Sequence, residues 1–135
     1  MTRVVTISEA ASIAIHSMVL IANSKKKINV TQLADAMGSS RHHVAKVVQR
    51  LVKEDILSSV RGPHGGFSLK KKPEDISLLK IFESIEGQIE ITECPMDNPI
   101  CPFDKCIMGN LVKKMTTEFR NYFQEHTLKD YIKEM

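Results

Sequence analysis

Val44, Val47, Val48, Leu51 and Val52 recur at i, i+3, i+4, i+7 and i+8, a stripe that only a helix gathers onto one face. The residues around the stripe narrow the fold further. Upstream, Thr31 is a residue of N-cap type, and Leu33, Ala34 and Met37 follow at helical spacing. Gly38 stops that helix, and Ser39 or Ser40 caps the striped one. Downstream, Leu57-Ser58-Ser59-Val60-Arg61 can run out and Phe67-Ser68-Leu69 can run back. Gly62-Pro63-His64-Gly65-Gly66 between them is dense in turn residues. Helix, tight turn, helix, hairpin is the order of a winged helix-turn-helix.

The rest of the chain reads as further helices. Residues 7–22 form one, capped by Ser8 and filled with good helix formers. Asn23-Ser24-Lys25-Lys26-Lys27 is a polar break, and Ile28-Asn29-Val30 can be a very short strand. Ser77 or a neighbour begins a fourth helix through Leu78, Leu79, Ile81, Phe82 and Ile85, closed by Gly87. A long helix from about Gly109 to Glu125 carries Leu111, Val112, Met115, Phe119, Tyr122 and Phe123. A last short helix spans Thr127 to Lys133. The expected fold class is mainly α with a small β-hairpin wing: a winged helix-turn-helix plus a long C-terminal helix. The expected division is 1–87, a DNA-binding domain; 88–108, a cysteine loop; and 109–135, the long helix and C-terminal segment.

The net charge of +3 is unevenly placed. Residues 1–72 hold twelve Lys and Arg against four Asp and Glu; residues 73–135 hold seven against twelve. A basic half next to an acidic half suits a polyanionic partner, although uneven solvated charge gives the same totals. In a winged helix-turn-helix the second helix enters the major groove with its N-terminal residues near base edges. The candidate readers are therefore Ser39, Ser40, Arg41, His42, His43 and Lys46. Projected at 100° per residue, His42, Lys46, Gln49 and Lys53 lie opposite the apolar stripe. In the wing, Arg61, Gly62, His64 and Gly65 are the candidates, with Arg61 expected in or beside a minor groove. Lys70, Lys71 and Lys72 would add phosphate attraction, which carries no sequence information.

All three cysteines of the chain, Cys94, Cys101 and Cys106, sit within one 13-residue, proline-rich loop. A disulfide framework favours an even number, and the spacing lacks the Cys-x2-Cys pair of structural zinc sites. Three converging thiolates suit an iron–sulfur cluster, either [4Fe–4S] or [2Fe–2S], with one ligand position left to another donor. Free thiols, a zinc site and a two-cysteine disulfide switch are the competing readings.

Nearly the whole chain, about residues 5–133, resembles the Rrf-two family of bacterial transcription regulators. The resemblance is carried by Leu57-Ser58-Ser59-Val60-Arg61-Gly62-Pro63-His64-Gly65-Gly66-Phe67-Ser68-Leu69, by Ile76-Ser77-Leu78, by Ile85-Glu86-Gly87, by the three-cysteine loop and by Thr127-Leu128-Lys129-Asp130-Tyr131. It implies a homodimer joined through the long helix, with two recognition helices on a palindromic double-stranded DNA operator. By position it implies Cys94, Cys101 and Cys106 as cluster ligands. One arrangement in the family takes an acidic fourth ligand from the N-terminal helix of the other subunit, and Glu9 stands at about that place. Another takes a histidine just after the third cysteine, where this chain has Ile107-Met108; Asp97 and Asp104 lie within the loop.

The sequence is thus read as a cytoplasmic, dimeric, DNA-binding repressor that senses nitric oxide, redox state or iron–sulfur status. It has no apolar run near 20 residues, no nucleophile–base pair and no phosphate-binding loop, so neither a membrane span nor an enzyme is expected. His16 reads as a partly buried histidine and not a catalytic base. The alternatives are a cluster-free thiol-switch or partner-dependent repressor of the same fold, and a metal-dependent interaction module that does not bind DNA.

Overall fold

The computed structural model describes residues 2–92 and 101–133. Five helices and one hairpin follow in the order α1 (Glu9–Asn23), α2 (Val30–Met37), α3 (Arg41–Lys53), β1 (Leu57–Val60), β2 (Gly66–Leu69), α4 (Leu78–Glu86) and α5 (Leu111–Glu125). Single 3-10 turns lie at Pro73–Asp75 and Leu128–Tyr131, so the last expected helix is only one turn long. The architecture is the expected one, mainly helical with a two-stranded wing.

Side chains at the helix starts explain most boundaries. Ser8, Ser40 and Ser77 each cap a helix, accepting from the N–H groups of Ala11 (3.0 Å), His43 (3.1 Å) and Lys80 (3.0 Å). The cap of α2 is Asn29, not Thr31. Asn29 Oδ1 accepts from the Gln32 N–H, and Gln32 Oε1 accepts from the Asn29 N–H, both at 2.9 Å. This reciprocal box satisfies two donors at once, which Thr31 could not do two residues further on. Gly38 closes α2 in the left-handed conformation, with φ 64°.

The core forms where α1, α2, α3 and α4 meet. Met18, Leu33, Val44, Val48, Leu51, Ile56, Ile76 and Ile81 are fully buried. Leu128 joins them from the C-terminal turn and is also fully buried. Its N–H donates to the Ile76 carbonyl (3.0 Å), while the Leu78 N–H donates to His126 (2.9 Å). This exchange ties the end of α5 to the start of α4.

β1 and β2 pair antiparallel, Leu57 opposite Leu69 and Val60 opposite Gly66. The short strand expected at residues 28–30 is reduced to one bridge, Ile28 to Phe67. At the wing tip the Gly65 N–H donates to the Gly62 carbonyl (2.9 Å), and a Cβ on Gly65 would stand 2.1 Å from the Val60 carbonyl oxygen. The tip therefore closes only around a residue with no side chain.

The turn from α3 into β1 puts Asp55 at φ 70°, a left-handed position for a residue with a side chain. Its carboxylate accepts from Lys70 Nζ, just past the end of β2. The hydrogen bond and charge of Lys70 hold the Asp55 carboxyl below its usual range.

Two outcomes follow from the wing. Gly65→Ala should open the tip and destabilise the fold by about 1–3 kcal/mol, read as a lower denaturation midpoint; an unchanged midpoint would contradict the close approach. A lowered folded-state pKa means that Asp55 stabilises above the ordinary carboxylate pKa and that this contribution disappears as pH falls through the folded value. Lys70→Gln should therefore raise the Asp55 pKa in a carboxyl NMR titration and flatten the acid limb of the stability profile.

Candidate nucleic-acid interface and cysteine loop

The buried face of α3 fixes what its other face offers. Val44, Val47, Val48 and Leu51 point inward, and Arg41, His42, Lys46, Gln49, Arg50 and Lys53 are exposed. Arg50 is held along the helix by Glu54, at 3.4 Å. Ser40 has two tasks at the helix start: its Oγ accepts from the His43 N–H, and its carbonyl from Val44 (3.0 Å). Ser39 is half-buried and its N–H is used by the Ala34 carbonyl (3.0 Å). The side chains free to reach a base edge from this end are accordingly Arg41, His42 and Lys46.

His43 behaves differently from its neighbours. It is half-buried, and its Nδ1 stands 3.6 Å from Glu9 Oε1, on the first residue of α1. Glu9 is thereby placed beside the recognition helix within its own chain. Its immediate neighbour Ser8 donates to the Glu86 carboxylate at the end of α4.

The wing presents Arg61, Gly62, Pro63 and His64 to solvent, with Gly65 half-buried. The lysine run behind it is divided. All three are exposed, but Lys70 is bound to Asp55. The fold thus presents two basic, exposed edges, the start of α3 and the tip of the wing, joined by the tight turn at Asp55. Lys70 contributes less to them than its charge suggested.

Of the cysteine loop, Cys94 and Asp97 lie outside the described residues. Cys101 is exposed and Cys106 half-buried, and both are free thiols. Backbone N–H groups of Asn110, Met108 and Gly109 face Cys106, in that order of effect, and draw its thiol below the usual range. The cradle arises because Gly109 (φ 63°) and Asn110 (φ 56°) are both left-handed, which turns successive N–H groups inward at the start of α5. A cluster binds thiolates, and this is a position where a thiolate is favoured. The donor chemistry therefore fits cluster ligation. Among the described residues, no three Cys, His, Asp or Glu side chains converge as a metal site.

An open groove of about 740 Å³ runs beside α1, lined by Glu9, Ser12, His16, Met37, Tyr122 and Tyr131 among others. Burial first, then the Tyr122 hydroxyl, pushes the Tyr131 phenol up from its usual range. His16 is exposed, not partly buried, and its Nδ1 is 2.7 Å from the Ser12 carbonyl. Next to the groove, α5 divides its apolar residues. Phe119 and Phe123 stack at 4.3 Å and meet Phe82 of α4 edge-on at 5.3 and 5.8 Å. Leu111, Val112, Met115 and Tyr122 face solvent. The seam expected from sequence is thus two faces, one used within the chain and one uncovered.

Sequence reasoning placed Arg41, His42 and Lys46 on the exposed face of α3, as observed, but gave no sign of the Glu9–His43 contact or of the backbone N–H groups around Cys106. The first joins positions far apart in the chain. The second depends on two left-handed residues, for which Gly109-Asn110 was the available signal.

The profile of the Rrf2 family, described as an iron-dependent transcriptional regulator, matches residues 7–134. The HTH-type transcriptional regulator YwnA of Bacillus subtilis is 33% identical over 130 residues, covering 92% of this chain and 95% of YwnA. The HTH-type transcriptional regulator NsrR of Bacillus licheniformis is 27% identical over 112 residues, covering 82% of this chain and 78% of NsrR. CymR, the global cysteine regulator of Bacillus subtilis, shares the fold with a TM-score of 0.77 at 21% identity, over 93% of this chain and 95% of CymR. Among the described residues no helix is long and apolar enough to cross a membrane. With a profile match that runs through the helix-turn-helix, the wing, the cysteine loop and α5, this chain belongs to the Rrf2 family of transcriptional regulators.

Proposed function

We propose that the chain is a homodimeric repressor that binds a palindromic operator and senses nitric oxide, redox state or iron–sulfur status through a cysteine-ligated cluster. The observation that carries the DNA half is the pair of exposed basic edges on one fold, Arg41, His42 and Lys46 at the start of α3 and Arg61 with His64 on the wing. A recognition helix reads the major groove from its N-terminal turn, and an arginine at a glycine-rich tip suits the narrow minor groove beside it. Ser39, Ser40 and His43 support the helix start, and Gly62 and Gly65 let the wing backbone come close to DNA.

The sensing half rests on the cradle around Cys106. Cys94, Cys101 and Cys106 would hold the cluster, and Glu9 of the second subunit would supply the fourth donor. When bound, the cluster supplies a redox- and nitric-oxide-reactive centre. The chain's own part is to lower the Cys106 thiol pKa through the nearby backbone N–H groups and to keep Cys101 accessible. Residues 1–87, 88–108 and 109–135 then act as reading domain, sensing loop and dimer element. The uncovered apolar residues of α5 support the dimer, because a two-fold axis can bury the same patch on both copies. A cluster-free thiol switch would use two of the same three thiols, and the lowered Cys106 pKa favours that reading equally.

Two experiments test this reading. Arg61→Ala combined with His42→Ala should weaken operator binding by about 1–3 kcal/mol per base contact removed and should lessen the salt dependence; unaltered binding would exclude these edges. Anaerobic preparations should contain iron and acid-labile sulfide, and each of Cys94→Ser, Cys101→Ser and Cys106→Ser should abolish both. A full cluster in Cys101→Ser would contradict the ligand set, and absence of iron together with thiol-dependent DNA binding would favour the thiol switch.

A further inference from the structure

The polar break after α1 holds three consecutive lysines, Lys25, Lys26 and Lys27, and all three are exposed. They belong to a turn that is held in place. The Ser24 N–H donates to the Ile21 carbonyl (3.2 Å) and closes α1, and Ser24 Oγ donates to the Lys26 carbonyl (2.5 Å). Ile28 then joins the edge of β2 that β1 leaves free. Its N–H donates to the Phe67 carbonyl (3.3 Å), and its carbonyl accepts from the Phe67 N–H (2.8 Å). The approach is close, since a Cβ on Gly66 would stand 2.8 Å from that same carbonyl oxygen.

The bridge is antiparallel, so the residues before Ile28 run toward the end of the hairpin that the residues after Phe67 run toward. Lys25–Lys27 are thereby directed to the base of the wing, where Lys70, Lys71 and Lys72 follow β2. The two runs differ in how their charge is met. Lys70 is held by Asp55, and Glu74 and Asp75 come directly after Lys72 and Pro73. From Ala10 to Ala34 the chain has no acidic residue. Among the described residues Lys25, Lys26, Lys27, Lys71 and Lys72 enter no ion pair. Adjacent ammonium groups without carboxylates repel one another, and a polyanion relieves that repulsion. Lysine acts as a mobile point charge, which suits phosphate oxygens and does not read base edges.

We propose that Lys25, Lys26 and Lys27, with Lys71 and Lys72 beside them, form a second phosphate-binding surface that holds double-stranded DNA flanking the operator. This rests on the proposed binding of DNA by α3 and the wing, and extends it. The wing tip meets the operator; the lysines behind it meet the backbone of duplex that continues past it. The surface adds affinity and salt dependence without adding sequence preference.

The test compares the full-length protein on two duplexes: the shortest promoter fragment that it shifts, and the same fragment lengthened by about one helical turn of arbitrary sequence at each end. Wild type should bind the longer duplex more tightly and with a steeper salt dependence, by about 0.9 in the slope for each added phosphate contact. The triple variant Lys25→Gln, Lys26→Gln, Lys27→Gln should lose most of that difference while keeping its preference for operator over unrelated sequence. A charge-matched control, Lys80→Gln, Lys114→Gln, Lys129→Gln, should retain it. These are exposed positions, and circular dichroism checks that the variants fold. Equal affinity of wild type for the two duplexes overturns the inference and leaves the operator reading intact. So does a length-dependent gain that survives in the triple variant, the result expected if the lysines serve an acidic protein surface instead. An equal loss in the control also overturns it, because net charge alone then accounts for the effect. Failure of the wild-type protein to shift any promoter fragment overturns both readings.

Discussion

The burial of one face of α3 is the constraint on which the rest depends. Val44, Val47, Val48 and Leu51 enter a core already closed by Met18, Leu33 and Ile81. Burying each such side chain is worth about 1.5–3 kcal/mol. Rotating the helix by one residue, 100°, would expose this stripe and drive Lys46 or Gln49 inward, so the rotation is fixed. With it is fixed which residues face outward from the first turn. The outward face of α3 is therefore set by the core.

The caps at Ser8, Ser40 and Ser77, the stop at Gly38 and the hairpin were legible in the sequence because each depends on a few adjacent residues. Thr31 was misleading because it is itself of capping type; the Asn29-x-x-Gln32 pattern around it carries the true start. The lysine run was legible as charge, but the pairing of Lys70 with Asp55 was not. That pairing needs Asp55 in a left-handed turn, a conformation that Asp adopts more readily than most residues but that a single position does not announce. The inward half of α5 was hidden for another reason: Phe119 and Phe123 turn in only because Phe82, on a different helix, gives them edge-on partners.

α1 touches three separate parts of the chain. Its first turn touches Glu86, one residue before the segment that enters the cysteine loop, and His43 on α3. Its far end holds the C-terminal segment through Asn23, which donates to the Tyr131 carbonyl (3.1 Å) and accepts from the Lys133 N–H (2.8 Å). Between those ends Ala11, Ile13, Ala14, Met18 and Ile21 of the same helix are part of the buried core.

α5 carries a row of uncovered apolar residues. Its outward residues Leu111, Val112 and Met115 lie just past the Cys106 cradle, with Tyr122 two turns further along beside the α1 groove. The inward aromatics anchor the helix to α4, so the uncovered residues are held rigidly and are not a loose apolar tail. A rigid apolar ridge and an open groove on the same chain satisfy the requirement of a two-fold interface, where each copy offers the surface the other needs. Glu9 lies at that groove.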